Sequence, residues 1–316
     1  MISAPRVLVV AVAFVAIACP ASAQNEVTER FSKTAHLDPN GTFDLTNISG
    51  NIVITGSSGR DVTIEAIKRV QRPNPNAARA LLQMIDIQVT EQPNRVEVRT
   101  VFPRPRNFPG SVDFTIGVPD EANVTLKMMS GNVRATNING GLRADVITGN
   151  LVVAGARRIE ALKSVSGDIE IVDASADDFV TASTVSGNIT VRGLKGRTIQ
   201  LGTVSGNVRM DDVQSDRLMA RAVNGNIDYA GDLARSGRYE FVSHSGDIRL
   251  MLSGGTGFEV QANSFSGNVR SDFPVNRRAG AEGGGVTPRG IRGVFGDASA
   301  MLVLRAFSGN ISIARR

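Results

Sequence analysis

One tripeptide recurs along this chain at a nearly fixed interval, and it constrains the fold more than any other feature. Ser-Gly-Asn, or a close variant, places its glycines at Gly50, Gly131, Gly149, Gly167, Gly187, Gly206, Gly225, Gly246, Gly267 and Gly309. From Gly131 the successive gaps are 18, 18, 20, 19, 19, 21, 21 and 42 residues. The last gap reads as two periods, with one turn that has lost its tripeptide near residue 288. Self-similarity at such a period is the mark of a repeat architecture, in which each unit buries its apolar face only against its neighbours.

The residues around the tripeptide say which architecture. Thr148 and Asn224 replace the Ser twice, and the alignment holds through them. Three residues after the Ser position stand Ile52, Val133, Leu151, Ile169, Ile189 and Val208, and five after it Ile54, Ala135, Val153 and Ile171. Four before it stand Leu45, Leu126, Leu162 and Leu201, and six before it Phe43, Val124, Leu142 and Ile199. Glu160 breaks that last column, with Ile159 slipped in beside it. Apolar residues alternating with mostly polar ones on both sides of a turn predict two short, half-buried strands per repeat. The expected fold is therefore all-β, a parallel β-solenoid of about ten turns with identical columns stacked inside. Gly accepts φ > 0 at the corner without a Cβ clash, and Asn or Asp bonds nearby backbone. The Asn and Asp residues from Asn51 to Asn310 are expected to stack as a ladder. A calcium site is set aside, because the calcium-binding repeat requires Gly-Gly-x-Gly-x-Asp and this corner is mostly neutral Asn.

Residues 1–23 read as a signal peptide. Arg6 gives a basic start, residues 7–19 are apolar, Pro20 breaks the run, and Ala21-Ser22-Ala23 supplies a cleavage site before Gln24. Cys19 would be a lipidation point in a lipoprotein signal, but Pro20 directly after it spoils that pattern. The apolar run is shorter than the ~20 residues a membrane helix needs, and no later segment is apolar enough for a transmembrane segment. The chain is expected to be exported, as a periplasmic, cell-surface or secreted protein. Cys19 is the only Cys and there are two His, so intramolecular disulfides, multi-Cys zinc sites and multi-His cages are excluded. No cofactor or metal is expected.

The expected single domain covers residues 24–316: a cap and first turn over 24–120, and regular repeats over 121–316. In the cap, strands are expected over 29–37, 62–70, 85–89, 95–102 and 112–118. A short helix is expected over 77–84, with Asn76 as its cap. They are read as an irregular or antiparallel layer over the first turn, since solenoid ends need covering. Residues 103–109 and the Gly-rich segment 276–290 are expected loops, and strands at 300–306 and 311–314 close the chain.

With these residues in view, the chain resembles the bacterial putative-adhesin family, a domain family of unknown function. The resemblance rests on the serial Ser-Gly-Asn/Asp turns, the lead-in Val112-Asp113-Phe114-Thr115-Ile116-Gly117-Val118-Pro119, and the closing Ser308-Gly309-Asn310-Ile311. It implies an exported β-solenoid with an adhesive role and contributes no catalytic residue.

Chemistry is sparse. His244 takes the position one before Ser, where other turns carry Val or Phe, and is expected to pack at the corner. His36 lies near the cap. A polysaccharide lyase or glycosidase on this fold is the alternative to a binding module, and it needs two carboxyls ~5–9.5 Å apart. Adjacent turns are ~4.8 Å apart, so the partners should share one outward column. Glu170 has Val152 and Thr190 as neighbours, Asp228 has Arg209 and Arg249, and Asp173 and Asp212 are two turns apart. No catalytic residue is assigned, and no enzyme is expected. The outward column four after Ser carries Arg134, Arg209, Arg249 and Arg270; the column three before it carries Lys127, Lys163, Arg221 and Arg305. With a net charge of +5, these linear arrays suit acidic polysaccharide, another cell-surface component or an envelope protein rather than nucleic acid. An envelope sensor or regulatory partner fits the same features.

Overall fold

The computed structural model describes residues 26–103, 108–276 and 285–316; the expected signal peptide, residues 104–107 and most of the Gly-rich segment lie outside them. Among the described residues there are two sheets, of 13 and 14 strands, and one helix. Each turn gives one strand to each sheet. Thr198–Ser205 runs up to the corner in the 14-stranded sheet, here sheet B, and Val208–Asp211 leaves it in the 13-stranded sheet A. Strands of neighbouring turns are parallel and in register, so Ile189, Val208, Ile227 and Ile248 stack directly. The apolar columns of both sheets meet in one continuous core, with Ile199, Leu201, Val208 and Met210 all buried. This is the expected β-solenoid.

Glu160 behaves as its sequence suggests. Leu142 pairs with Ile159 but Arg143 with Ala161, so the chain bulges by one residue. The bulge keeps Ile159 in the core and turns Glu160 out to solvent. The opposite corner holds a second left-handed column that no single residue type marks. Asn137, Asp173 and Asp212 have φ of 56°, 48° and 53°, alternating with Gly155 and Gly193 at 66° and 65°. A Cβ at Gly155 would press on Asn137 Oδ1, and one at Gly193 on Asp173 Oδ1, so each Gly makes room for the polar residue of the turn below.

The cap continues the sheets edge-on. Gly110–Pro119 lies parallel to Ile52–Ser57, Asp61–Gln71 antiparallel to it, and Glu26–His36 antiparallel to that, adding three strands to sheet A. Arg95–Val101 and Asp86–Gln92 add two strands to sheet B. The helix spans Pro75–Leu82, two residues earlier than expected, and its N-cap is Asn74 instead of Asn76. Asn74 Oδ1 accepts from the N–H of Asn76 at 2.9 Å, and Pro75 occupies the first turn, where its missing N–H costs nothing. After this excursion the chain returns to its own stack: Ile52 pairs directly with Val133.

The C-terminal end departs from the expectation. Among the described residues no degenerate turn lies near residue 288. Gly285–Thr287 and Gly290–Phe295 instead form a hairpin whose second strand pairs antiparallel with Phe258–Ser264, closing the edge of sheet B. The final turn then inserts between two earlier ones: Ile311 pairs with Ile248 on one side and Val269 on the other. The order of corners in space is thus Gly246, Gly309, Gly267. The long excursion between Gly267 and Gly309 gives the chain enough slack to fill the gap, where the last turn gains hydrogen bonds along both edges. Phe258, Phe273 and Phe295 seal this end, with ring centroids 4.9–5.4 Å apart.

Candidate functional site

The recurring polar groups of the repeat are absorbed by the corner itself. The backbone N–H of each Asn or Asp donates to the side-chain Oδ1 of its counterpart one turn away. Asn207 donates to Asn188 at 2.9 Å, Asn226 to Asn207 at 2.9 Å, and Asp247 to Asn226 at 2.8 Å. The ladder follows the rearranged C-terminal order, from Asp247 to Asn310 and then Asn268. At the other end Asp113 Oδ1 accepts from Asn51 N–H, and Arg69 Nε donates to Asp113 Oδ2 at 2.7 Å, which raises the Arg69 pKa. The ladder is thus side chain to backbone, not amide to amide as its first requirement. That explains why Asp168 and Asp247 substitute freely for Asn: only an acceptor oxygen is needed.

The ten corner glycines occupy one stack. Gly206 has φ +147°, yet Gly225 and Gly267 lie outside the left-handed range. What they share is close approach: a Cβ at Gly206, Gly225 or Gly267 would overlap the carbonyl oxygen of the adjacent glycine in the stack. Left-handed backbone is therefore the lesser reason for glycine here. A buried hydroxyl column, overlooked in the sequence because its residues sit among small polar ones, completes the corner. Thr184, Thr203 and Ser243 each donate at 3.0 Å to a glycine carbonyl of the preceding turn, Gly167, Gly187 and Gly225 respectively.

The remaining polar and charged side chains of the stack lie in the outward columns. On sheet A the spatial order is Val53, Arg134, Val152, Glu170, Thr190, Arg209, Asp228, Arg249, Ser312, Arg270. Ser312 therefore separates Arg249 from Arg270. Arg249 reaches Asp247 at 2.9 Å and Asp228 at 3.5 Å, and Glu170 pairs with Arg192 at 3.0 Å. Arg134, Arg209 and Arg270 make no ion pair among the described residues. Four strand steps of about 4.8 Å separate Arg134 from Arg209, and four more reach Arg270, roughly 19 Å each. Beside this column Arg209, Asp228 and Arg249 line a shallow depression of about 400 Å³, floored by the small side chains of Ala230 and Ala314.

On sheet B the column one before Ser forms an exposed apolar ridge. It runs through Met129, Ile147, Val165, Val185, Val204 and Val223, which are 43–52% exposed. It continues through His244 and Phe307 to Phe265. His244 stacks on Phe307 at 4.7 Å, and Phe307 on Phe265 at 4.9 Å, all nearly parallel. His244 is thus not packed inside the corner; its side chain points outward because it alternates with the buried Ser243. His36 is exposed beside Asp61 and Asp38. Next to the ridge lies the column Lys127, Asp145, Lys163, Ser183, Gly202, Arg221, Val242, Arg305.

Similar solved structures include a putative adhesin from Bacteroides fragilis NCTC 9343, at 14% identity and TM-score 0.41, covering 90% of this chain and 96% of that one. A putative adhesin from Parabacteroides distasonis ATCC 8503 has 11% identity and TM-score 0.41, covering 91% and 97%. A putative lipid binding protein from the same organism has 9% identity and TM-score 0.45, covering 91% and 96%. No curated protein matches the chain. The match to the Toastrack DUF4097 family, a domain family of unknown function, spans residues 42–314, from the first strand of the stack to the last, and the chain belongs to that family.

Proposed function

We propose that this protein is an exported, non-catalytic binding module of the cell envelope that holds extended acidic polymer along sheet A. One observation carries the reading: the repeated polar side chains are consumed by neighbouring backbone, while Arg134, Arg209 and Arg270 stand outward without ion-pair partners among the described residues and in one line. Guanidinium groups at regular intervals suit a polymer with carboxylates or sulfates at every few ångströms, each Arg taking one group bidentately. The residues 1–23 leader supports export, with the mature chain beginning at Gln24; mass spectrometry of the exported protein finding a lipid-modified Cys19 would replace this with a lipoprotein.

The polymer reading is tested on polygalacturonate and neutral dextran resins. The purified protein should be retained on the acidic resin at low salt and released as ionic strength approaches 0.15 M, where screening acts beyond ~8 Å. Replacing Arg134, Arg209 and Arg270 together by Ser should abolish retention without changing the melting curve. Salt-insensitive retention, or none, refutes the reading.

A further inference from the structure

We infer that the outer face of sheet B docks on an anionic lipid bilayer, with the apolar ridge entering the headgroup layer and the adjoining cationic column meeting lipid phosphates. This surface shares no residue with the arginine column of sheet A, and the inference stands independently of that column's ligand.

The ridge is not a by-product of strand propensity. An outward position on any strand favours β-branched residues, and Thr serves that preference as well as Val. The other outward columns are mixed accordingly, with Thr190 and Ser312 among the arginines on sheet A and Ser183 and Gly202 in the cationic column. The ridge alone carries no Thr or Ser: from Met129 to Phe265 every position but His244 is apolar. Phe265 is 69% exposed at its end. Parallel pairing holds these side chains in one straight line, nine positions over roughly 38 Å at about 4.8 Å per strand.

Shape and charge then select the occupant. The ridge is one side chain wide, about 7 Å, so it offers less than roughly 300 Å² to a partner. A stable protein interface needs about 800 Å² on each side. The adjoining column carries Lys127, Lys163, Arg221 and Arg305 against the single acid Asp145. Arg221 is drawn toward Glu240 at 3.7 Å, whereas Lys127, Lys163 and Arg305 make no ion pair among the described residues. Two copies apposed ridge to ridge would bring these like charges together. A lipid surface has neither difficulty: it accepts a shallow linear wedge, and its phosphates match cations about 7 Å from the apolar line, which is two residues along a strand. Lys and Arg stems reach that layer while their heads stay hydrated.

The chain contains no Trp, so one introduced Trp is an unambiguous reporter. Val204→Trp places it on the ridge and Thr190→Trp on the opposite sheet. With vesicles of phosphatidylglycerol and phosphatidylcholine in equal parts, Val204→Trp should shift to the blue and be quenched by brominated acyl chains, and Thr190→Trp should do neither. Pure phosphatidylcholine vesicles should give no shift. In cosedimentation, the wild type should bind the anionic vesicles. The triple change Val185→Thr, Val204→Thr, Val223→Thr should weaken that binding at least ten-fold while keeping the far-UV spectrum and melting curve. Lys127→Gln, Lys163→Gln and Arg305→Gln together should also weaken it and remove its salt dependence. The Arg134, Arg209, Arg270 triple variant should bind vesicles as the wild type does, which separates this surface from the polymer site. Failure of the wild type to bind anionic vesicles overturns the inference. So does undiminished binding by the Val-to-Thr variant, which would make the face a polyanion site only, or a dimer in solution that the same variant dissociates.

Discussion

Gly206 and Gly202 lie four residues apart in one turn, and the structure gives substitutions there opposite signs. Gly206 has φ +147°, and a Cβ on it would overlap the carbonyl oxygen of Gly187. That oxygen cannot move aside, because its glycine is itself stacked on Gly167. Alanine at 206 therefore strains its own backbone, at about 1–3 kcal/mol, and also pushes the two turns apart. The inter-turn bonds nearest the clash are Gly187 N–H to Ser205 O, Ile189 N–H to Asn207 O and Asn207 N–H to Asn188 Oδ1, each 2.9 Å. Loss of two of them adds about 2 kcal/mol, for a total of about 3–5 kcal/mol. That is a fifth or more of the ~5–15 kcal/mol that holds an ordinary domain together. At Gly202 a Cβ would meet nothing within 4 Å. There Gly202→Ala should stabilise the strand by about 0.5–1 kcal/mol through lower backbone entropy in the unfolded chain. Urea unfolding followed by far-UV circular dichroism should move the Gly206→Ala midpoint well below wild type and the Gly202→Ala midpoint slightly above it. Equal midpoints for the two variants would refute the close-approach account of the corner.

Two further outcomes follow from the core and the ladder. Asn207→Asp should leave the urea midpoint within about 0.5 kcal/mol of wild type, because its neighbours Asn188 and Asn226 are neutral and an acceptor oxygen is retained. Asn207→Ala leaves the Asn226 N–H without its acceptor and should cost about 1–2 kcal/mol; equal effects of the two changes would show that the ladder does not stabilise the stack. Burial pushes the phenol pKa of Tyr229, and more moderately that of Tyr239, above the ordinary value. Both are protonated in folded and unfolded chains below about pH 10, so stability is whole there. Above it the unfolded chain ionises first, and stability should fall by up to about 1.4 kcal/mol per pH unit for each Tyr. Tyr229→Phe loses the bond its hydroxyl donates to Asp232 O at 2.7 Å, so it should be less stable at pH 8 but decline less steeply by pH 11. A slope equal to wild type would show that Tyr229 ionises freely in the folded protein.

The sequence by itself determined the solenoid. A glycine that recurs every twenty or so residues, flanked by alternating apolar residues, leaves one way to bury the apolar columns, namely stacking like on like. The slip at Glu160, the strands of the cap and the isolation of Glu170 and Asp228 all follow from that alternation, because side chains on a strand face opposite ways at every step. What the sequence could not determine is the order of turns. The last turn carries the same columns as its neighbours, so Ile311 satisfies Val269 and Ile248 equally well, and only the tertiary pairing of Ile311–Arg315 places it between them. That reordering is what separates Arg249 from Arg270 and sets Phe307 between His244 and Phe265 in the aromatic stack. Exposure was likewise decided in three dimensions. A column of Val, Ile and Phe beside a corner reads as core by composition. Its alternation with the buried Ser and Thr hydroxyls, which donate to the glycine carbonyls of the preceding turn, turns it outward instead.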